Sequence, residues 1–285
     1  MISTTFEYSR ATSLDDALAK LRATNGEGKF IAGGHSLVPL MKLRLSEPKT
    51  LIDIARIPGL SGISRKGDAI EIGAATVHHD VATSALLQQV CPMVAEAAAS
   101  IGDPQVRNRG TLGGSLAHAD PSADYPAAML ALNADIQVKG PQGSRVVKAH
   151  EFFRGLFTVD LAADELIVSV QFKPVKCAAY AKLYQRASHF AIVGVAAALD
   201  VKNGTIESAR IGVTGASSHA TRLTDVEERL AGKPLSMGSI EAAARLAGAK
   251  LDDINSDIHA SQEYRRAMIP VFTERALARA MARAD

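Results

Sequence analysis

Two short segments, Ala32-Gly33-Gly34-His35-Ser36-Leu37 and Thr111-Leu112-Gly113-Gly114-Ser115-Leu116, narrow the choice of fold more than any other feature of this chain. Each sets two adjacent glycines beside a hydroxyl residue and borders an apolar stretch. Consecutive glycines reach backbone conformations closed to other residues, and they let successive N–H groups converge on one concavity. Such a concavity suits a phosphate, since a hydrogen bond to a charged group contributes about 1.5–3 kcal/mol. Either segment alone reads as a tight turn. Two of them facing each other would fit the two phosphates of a dinucleotide. The familiar nucleotide signatures are missing: Gly26-Glu27-Gly28 is followed by Ile31 where a GxGxxG fingerprint needs its third glycine. No GxxxxGK[ST] loop and no GxSxG elbow occurs either. A dinucleotide would bind here in a non-Rossmann way.

The rest of the composition removes other classes. A chain of 285 residues suits two domains. With no Trp and 5% aromatics, its core must be aliphatic and alanine-rich. The 32 basic and 30 acidic residues are spread through the chain, unlike the basic stripe of a nucleic-acid binder, so no nucleic-acid partner is expected. Cys91 and Cys177 lie far apart and in no CxxC arrangement, which excludes a disulfide framework and a four-thiolate zinc or iron–sulfur site. His78-His79 and His118 have no acidic or thiol partners at metal-ligand spacing, so no metal site is expected. The N-terminus, MISTTFEYSR, lacks the apolar stretch of a signal peptide. The longest apolar run, Ala191 to Leu199, is about half of the roughly 20 residues a membrane helix needs. A soluble, cytoplasmic, mixed α/β protein with no transmembrane segment is expected.

Ser13-Leu14-Asp15-Asp16 predicts a capped helix start, with Leu14, Ala17, Leu18 and Leu21 on one face. Strands are expected at 29–32 and 51–54, a helix over 37–45, and a hairpin between Gly59 and Gly73 turning at Lys66-Gly67-Asp68. Thr76 to Ile101 reads as helical with an interruption at Pro92. Gly102 to Asp124 reads as a long irregular segment, ordered around a ligand. Asp120, next to Pro121, reads as the cap of the helix that follows. A hairpin over Asp135 to Lys148 and a strand over Glu165 to Phe172 come next. From about Cys177 an antiparallel meander is expected at 179–185, 193–201 and 206–214, with Asn203-Gly204 as a hairpin turn. Helices near 223–231, 236–250 and 261–283 complete the chain. Strands followed by helices mark a separate α+β domain, which puts a boundary near 175. Arg265, Arg266, Arg275, Arg279 and Arg283 are spaced around more than one face of the last helix and read as a solvated surface.

Phe30-Ile31-Ala32-Gly33-Gly34-His35-Ser36-Leu37-Val38-Pro39 resembles the first FAD motif of the medium subunit of aerobic carbon monoxide dehydrogenase. The run from Ile101 through Gly102-Asp103-Pro104-Gln105-Val106-Arg107-Asn108-Arg109-Gly110 to Gly114 resembles the second, and Ala119-Asp120-Pro121-Ser122-Ala123-Asp124 continues it. The flavin domain of xanthine dehydrogenase shares this layout. The likeness spans essentially the whole chain, including Glu263-Tyr264-Arg265-Arg266 in the last helix. It implies an FAD-binding subunit of the molybdenum hydroxylase family. The implied fold is α+β: an FAD-binding domain of the vanillyl-alcohol-oxidase type over 1–175, with subdomains of about 1–56 and 57–175, then a small C-terminal domain over 176–285.

Residue by residue, the resemblance implies that Ala32, Gly33, Gly34, His35, Ser36 and Leu37, with Thr111, Gly113, Gly114 and Ser115, hold the pyrophosphate through backbone amides and hydroxyls. Ser115 stands where many relatives carry Asn. Ile101, Gly102 and Val106 would lie along the cofactor, and Gly110, His118 and Ala123 complete the cofactor-binding set. Asp124 would accept hydrogen bonds from ribityl or ribose hydroxyls, and Leu166 would approach the adenine or its ribose. Lys182 would place a cation near the pyrimidine edge of the flavin, where it stabilises the anionic reduced ring. The implied partners are a small subunit with two [2Fe–2S] clusters and a large molybdopterin subunit, in a dimer of heterotrimers. Electrons would leave those clusters through FAD on this chain for NAD, a quinone or oxygen. No residue of this chain is expected to be catalytic. Carbon monoxide, purines, N-heterocycles and aldehydes all stay open as substrates. A self-contained FAD oxidase or dehydrogenase of the same fold is the competing expectation, and a scaffold that has lost the cofactor is a third.

Overall fold

The computed structural model describes residues 2–284. Strand β1 (Glu7–Arg10) pairs parallel with β3 (Thr50–Asp53), which pairs parallel with β2 (Gly28–Ile31), so the first sheet runs β1-β3-β2. Leu51 and Ile52 of the central strand are buried. β1 is absent from the sequence reading because Glu-Tyr-Ser-Arg lies on an exposed edge and carries no apolar alternation. Helix α1 (Leu14–Ala23) buries Ala17, Leu18 and Leu21, as their spacing predicts. Its Ser13 cap accepts from the Asp16 amide at 3.1 Å, and the Asp16 carboxylate reaches back to the Thr12 amide at 2.8 Å. Helix α2 (Leu37–Lys42) follows the first glycine pair and stops three residues before the expected end.

The second sheet is antiparallel throughout. Strands β4 (Ile63–Lys66) and β5 (Ala69–Gly73) form the expected hairpin. Helices α3 (His78–Thr83), α4 (Ala85–Val90) and α5 (Pro92–Ala99) replace the single interrupted helix expected over 76–101. Pro92 accounts for one break by starting α5. Ser84 makes the other, accepting from the Leu87 amide at 3.3 Å to cap α4. The segment expected to be irregular contains α6 (Pro104–Arg107) and α7 (Leu112–His118). Asp103 caps the first, accepting from Val106 N, and Thr111 caps the second, accepting from Gly114 N. Four- and seven-residue helices broken by glycines show no apolar period, which is why they read as loop. Asp120 does not cap the next helix: its carboxylate accepts from Ser122 N at 2.8 Å within a turn, and α8 (Asp124–Ala131) starts without a side-chain cap. Strands β6 (Asp135–Gly140) and β7 (Gly143–Lys148) lead to α9 (Ala149–Phe152), the small ribbon β8 (Phe153–Gly155) and β9 (Thr158–Val159), and β10 (Leu166–Phe172). The sheet order is β4-β5-β10-β6-β7.

The third sheet, also antiparallel, runs in chain order: β11 (Ala178–Tyr184), β12 (Ala191–Lys202), β13 (Thr205–Thr214) and β14 (Thr221–Arg222). Asn203 and Gly204 both take positive φ, 52° and 71°, and turn β12 into β13 as expected. Helices α10 (Thr224–Leu230), α11 (Met237–Ala244) and α12 (Gln262–Met281) follow; α10 and α12 pack on this sheet, and α11 packs on α10 and α12. A separate, larger core surrounds the second sheet and α8. Every residue of α8 is buried, and the helix lies against β12 and β13. A Cβ at Gly212 would sit 2.2 Å from the Ala127 carbonyl oxygen, so only glycine permits that approach.

Of the arginines expected as a solvated surface, Arg266, Arg275 and Arg279 are exposed, whereas Arg265 is buried and Arg283 half-buried. Arg265 is 2% exposed; it donates to the Ile192 and Gly215 carbonyls, each at 2.7 Å, and pairs with Asp257. Arg279 donates to the Tyr180 carbonyl at 3.1 Å, while Arg283 bonds the Ala178 carbonyl and Glu96. Arg275 lies 4.7 Å over the Phe272 ring. Carbonyls at strand ends and edges draw the Arg265 and Arg283 guanidinium groups inward, a cause invisible in helical spacing. Among the described residues, no helix is long and apolar enough to cross a membrane.

Candidate functional site: a cleft between two glycine loops

The loop from β2 to α2 and the loop ahead of α7 meet. A Cβ at Gly33 would fall 2.1 Å from the Arg109 carbonyl oxygen and 2.8 Å from Gly110 Cα, so glycine at 33 is what lets the backbones touch. Beside this seam opens a cleft of about 420 Å³. Ala32, Gly33, Gly34, His35, Ser36, Leu37, Ile101, Gly102, Val106, Gly110, Thr111, Gly114, Ser115, His118, Ala123 and Asp124 all border it. Gly113, Leu166 and Lys182 do not. Gly113 is buried behind α7, where its Cβ would lie 2.5 Å from Ala74 Cβ. Leu166, 3% exposed, belongs to the core at the start of β10. Lys182 stands behind the Asp124 wall of the cleft.

The two loops use their amides differently. Among the described residues, no protein acceptor meets the amides of Gly33, Gly34, His35 and Ser36. Gly34 has φ +74°, and the His35 ring donates from Nδ1 to the Gly33 carbonyl at 3.1 Å. The Ser36 hydroxyl makes no capping bond. The second loop is spent internally. Leu112 N donates to Thr76 O, Gly113 N to Ala74 O, Gly114 N to Thr111 Oγ1 and Ser115 N to Thr111 O. Both loops were expected to hold a pyrophosphate through amides and hydroxyls; here the first loop leaves its amides free, and the second bonds its own within the molecule.

Asp124 begins α8 with its side chain 4% exposed, and its carboxylate is held from behind. Lys182 Nζ lies 2.7 and 2.9 Å from its oxygens, Tyr180 Oη donates at 2.6 Å and Ser100 Oγ at 3.4 Å. Lys182 also donates to the Ser100 carbonyl at 2.9 Å. Gly194 makes room, since a Cβ there would sit 2.2 Å from Tyr180 Oη. Burial raises the Asp124 carboxyl above its usual range, opposed by the Lys182 charge and by these hydrogen bonds. Burial likewise lowers the Lys182 ammonium. A carboxylate has about four lone-pair sites, so Asp124 Oδ2, with one bond from Lys182, still has capacity to accept from a ligand hydroxyl.

Some cleft residues escaped the sequence reading. Ser188, His189 and Phe190 arrive from the turn between β11 and β12, and His189 donates from Nδ1 to the Gly102 carbonyl at 2.8 Å. Their contribution depends on a contact spanning 87 positions, for which no local pattern exists. His78, weighed in the sequence only as a metal ligand, is 5% exposed at the base of the cleft. Burial first, then the charges of His35 and Arg107, push its pKa down to about 4. Among the described residues, no group of three His, Cys, Asp or Glu is placed to hold a metal ion.

These features define a class: a two-domain α+β chain whose glycine loops, outside any Rossmann frame, shape a dinucleotide cleft. Comparison with known proteins makes the class specific. The family model for the FAD binding domain in molybdopterin dehydrogenase matches residues 4–174, and that for the CO dehydrogenase flavoprotein C-terminal domain matches residues 178–280. The chain belongs to the family of FAD-binding subunits of the molybdenum-containing dehydrogenases, which are oxidoreductases. It is 39% identical to the carbon monoxide dehydrogenase medium chain of Hydrogenophaga pseudoflava, over 99% of both chains. It is 37% identical to the nicotine 6-hydroxylase medium subunit of Paenarthrobacter nicotinovorans, over 97% of both. Among solved structures, carbon monoxide dehydrogenase from Hydrogenophaga pseudoflava superposes with a TM-score of 0.95 at 39% identity, covering 100% of each chain.

Proposed function

We propose that this chain is the FAD-carrying electron-transfer subunit of a heterotrimeric molybdenum hydroxylase. It receives electrons from the [2Fe–2S] clusters of a small partner subunit and passes them to an external acceptor. The observation that carries this reading is the row of unclaimed amides from Gly33 to Ser36, facing a second loop that holds them in place. Backbone donors without protein acceptors, pointed at an open cleft, fit a diphosphate. Thr111, Ser115 and Ser36 add hydroxyls along the same border. Asp124 accepts from a ribityl or ribose hydroxyl, and Lys182 acts through Asp124 by keeping that carboxylate charged. Ile101, Gly102 and Val106 supply the apolar wall. Bound FAD supplies the exchange between single electrons and electron pairs.

The relatives named above are a medium chain and a medium subunit, which supports assembly with a small iron–sulfur subunit and a large molybdopterin subunit. Their names cite carbon monoxide and nicotine at similar identity, so the substrate is assigned to the large subunit and not to this chain. The test is to load the isolated chain with FAD and offer it candidate substrates. No reduction of the flavin should follow until both partner subunits are added. Substrate-driven reduction by the isolated chain would show a self-contained oxidase or dehydrogenase instead.

A further inference from the structure

His78 starts α3 with 5% of its surface exposed, and nothing in the function described so far uses it. Its Nδ1 lies 3.2 Å from Tyr125 Oη. Tyr125 is fully buried, and this imidazole is the one hydrogen-bond partner of its hydroxyl among the described residues. A phenol that deep inside must donate its proton. Nδ1 is then the acceptor, and the proton of the neutral ring resides on Nε2. Nε2 faces Gly110, where a Cβ would lie 2.5 Å away, and Gly110 is the residue that Gly33 touches across the seam. Among the described residues no protein acceptor meets Nε2, although His78 borders the cleft. An N–H without a protein acceptor at the junction of the two loops calls for an acceptor from outside the protein.

We propose that His78 is a cofactor-binding residue whose Nε2–H donates to an oxygen of the dinucleotide's diphosphate. The inference rests on the FAD reading above. The diphosphate is preferred over other parts of the ligand because Gly33 to Ser36, whose amides have no protein acceptor, border the same cleft as His78, and Gly33 abuts Gly110. The surrounding charge agrees: His35 on the first loop and Arg107 on α6 lie close enough for their charges to act on His78. The Arg107 guanidinium favours an anion there, and burial above all keeps His78 itself a neutral donor. Tyr125 is the positioning residue, since its hydroxyl selects the tautomer.

The test reads the wild-type imidazole directly. Long-range ¹H–¹⁵N correlation spectra of the full chain should show the Nε2–H tautomer without ligand. The Nε2 proton should move downfield on addition of FAD or ADP, but not of riboflavin, which has no phosphate. His78→Leu should weaken FAD binding about tenfold to a hundredfold in titration calorimetry, as expected for one hydrogen bond to a charged group. His78→Gln, which can still donate, should recover most of that loss. An Nδ1–H tautomer, or an Nε2 proton unmoved by FAD, overturns the proposal even if the Leu variant fails to fold. So does wild-type affinity in His78→Leu. A wild-type chain that binds no FAD at all would instead overturn the assignment of the cleft.

Discussion

Between β2 and α2 the amides of Gly33 to Ser36 face the cleft without protein acceptors, whereas from Leu112 to Ser115 every amide already donates inside the molecule. Both loops pair adjacent glycines with a hydroxyl residue, yet the glycines meet different needs. Gly33 and Gly34 leave donors exposed in a conformation other residues resist, with φ +74° at Gly34. Gly113 lets α7 press onto Ala74, where a side chain has no space. One glycine pair leaves its donors free; the other spends them inside the molecule. A phosphate loop of this kind is therefore half binding surface and half foundation.

Substitutions can break that division. The largest effect is expected at Gly33→Val, which would force the loops apart at the Arg109 carbonyl and leave no FAD binding measurable by calorimetry. Its counterpart Gly113→Ala should overpack the Ala74 contact, costing about 1–3 kcal/mol of stability, with FAD affinity of the folded fraction within about threefold of wild type. Equal losses of affinity in the two variants, with the melting temperature of Gly113→Ala unchanged, would erase the distinction. Lys182→Met comes next. It strands the buried Asp124 carboxylate behind the cleft and should cost about 3–5 kcal/mol in chemical denaturation. Pairing it with Asp124→Leu removes both charges and should restore much of that loss.

The foundation should also be the acid-sensitive half. His78 has a folded-state pKa of about 4 against an ordinary 6.5, so the folded state excludes its proton. Its contribution is complete above pH 6.5 and is lost as pH falls from there toward 4, by about 3 kcal/mol in total. Denaturation midpoints of the FAD-free chain at pH 7.5 and 4.5 should therefore converge in His78→Gln relative to wild type. An unchanged pH dependence would argue that His78 is charged when folded. The smallest contrast is between hydroxyls. Thr111→Val removes the cap on Gly114 N and should cost about 1 kcal/mol with a matching drop in melting temperature. Ser36→Ala, which loses no cap, should leave the melting temperature unchanged and weaken FAD binding by less than about tenfold.

Much of this was legible from the residues. Gly33-Gly34 and Gly113-Gly114 mark the site because few other residues tolerate such turns and contacts, and the meander from 178 onward shows itself through apolar runs and Asn203-Gly204. The unequal roles of the loops were not legible. Two of the acceptors that occupy the second loop come from Ala74 and Thr76, close to forty positions earlier, and no spacing rule connects them. Lys182 was expected beside the flavin ring; it stands behind Asp124 instead, in a pairing that spans 58 positions and reveals itself only after folding. Helix α6 was hidden by its four-residue length and α7 by its glycine pair. Arg265 misled for a related reason: helical spacing reports which face a residue occupies, not that strand-end carbonyls lie within its reach.

The bonds that Arg279, Arg283 and Glu96 make to β11 have a consequence for the solubility of the chain. β11 is the outer strand of its sheet, and a bare outer strand is a template on which another chain can add. Here the Tyr180 carbonyl is taken by Arg279, the Ala178 carbonyl by Arg283 and the Tyr180 amide by Glu96. Side chains thus occupy the positions that a foreign strand would need, and they are charged, so they do so without extending the sheet. The last turns of the chain act as a guard against self-association at this edge.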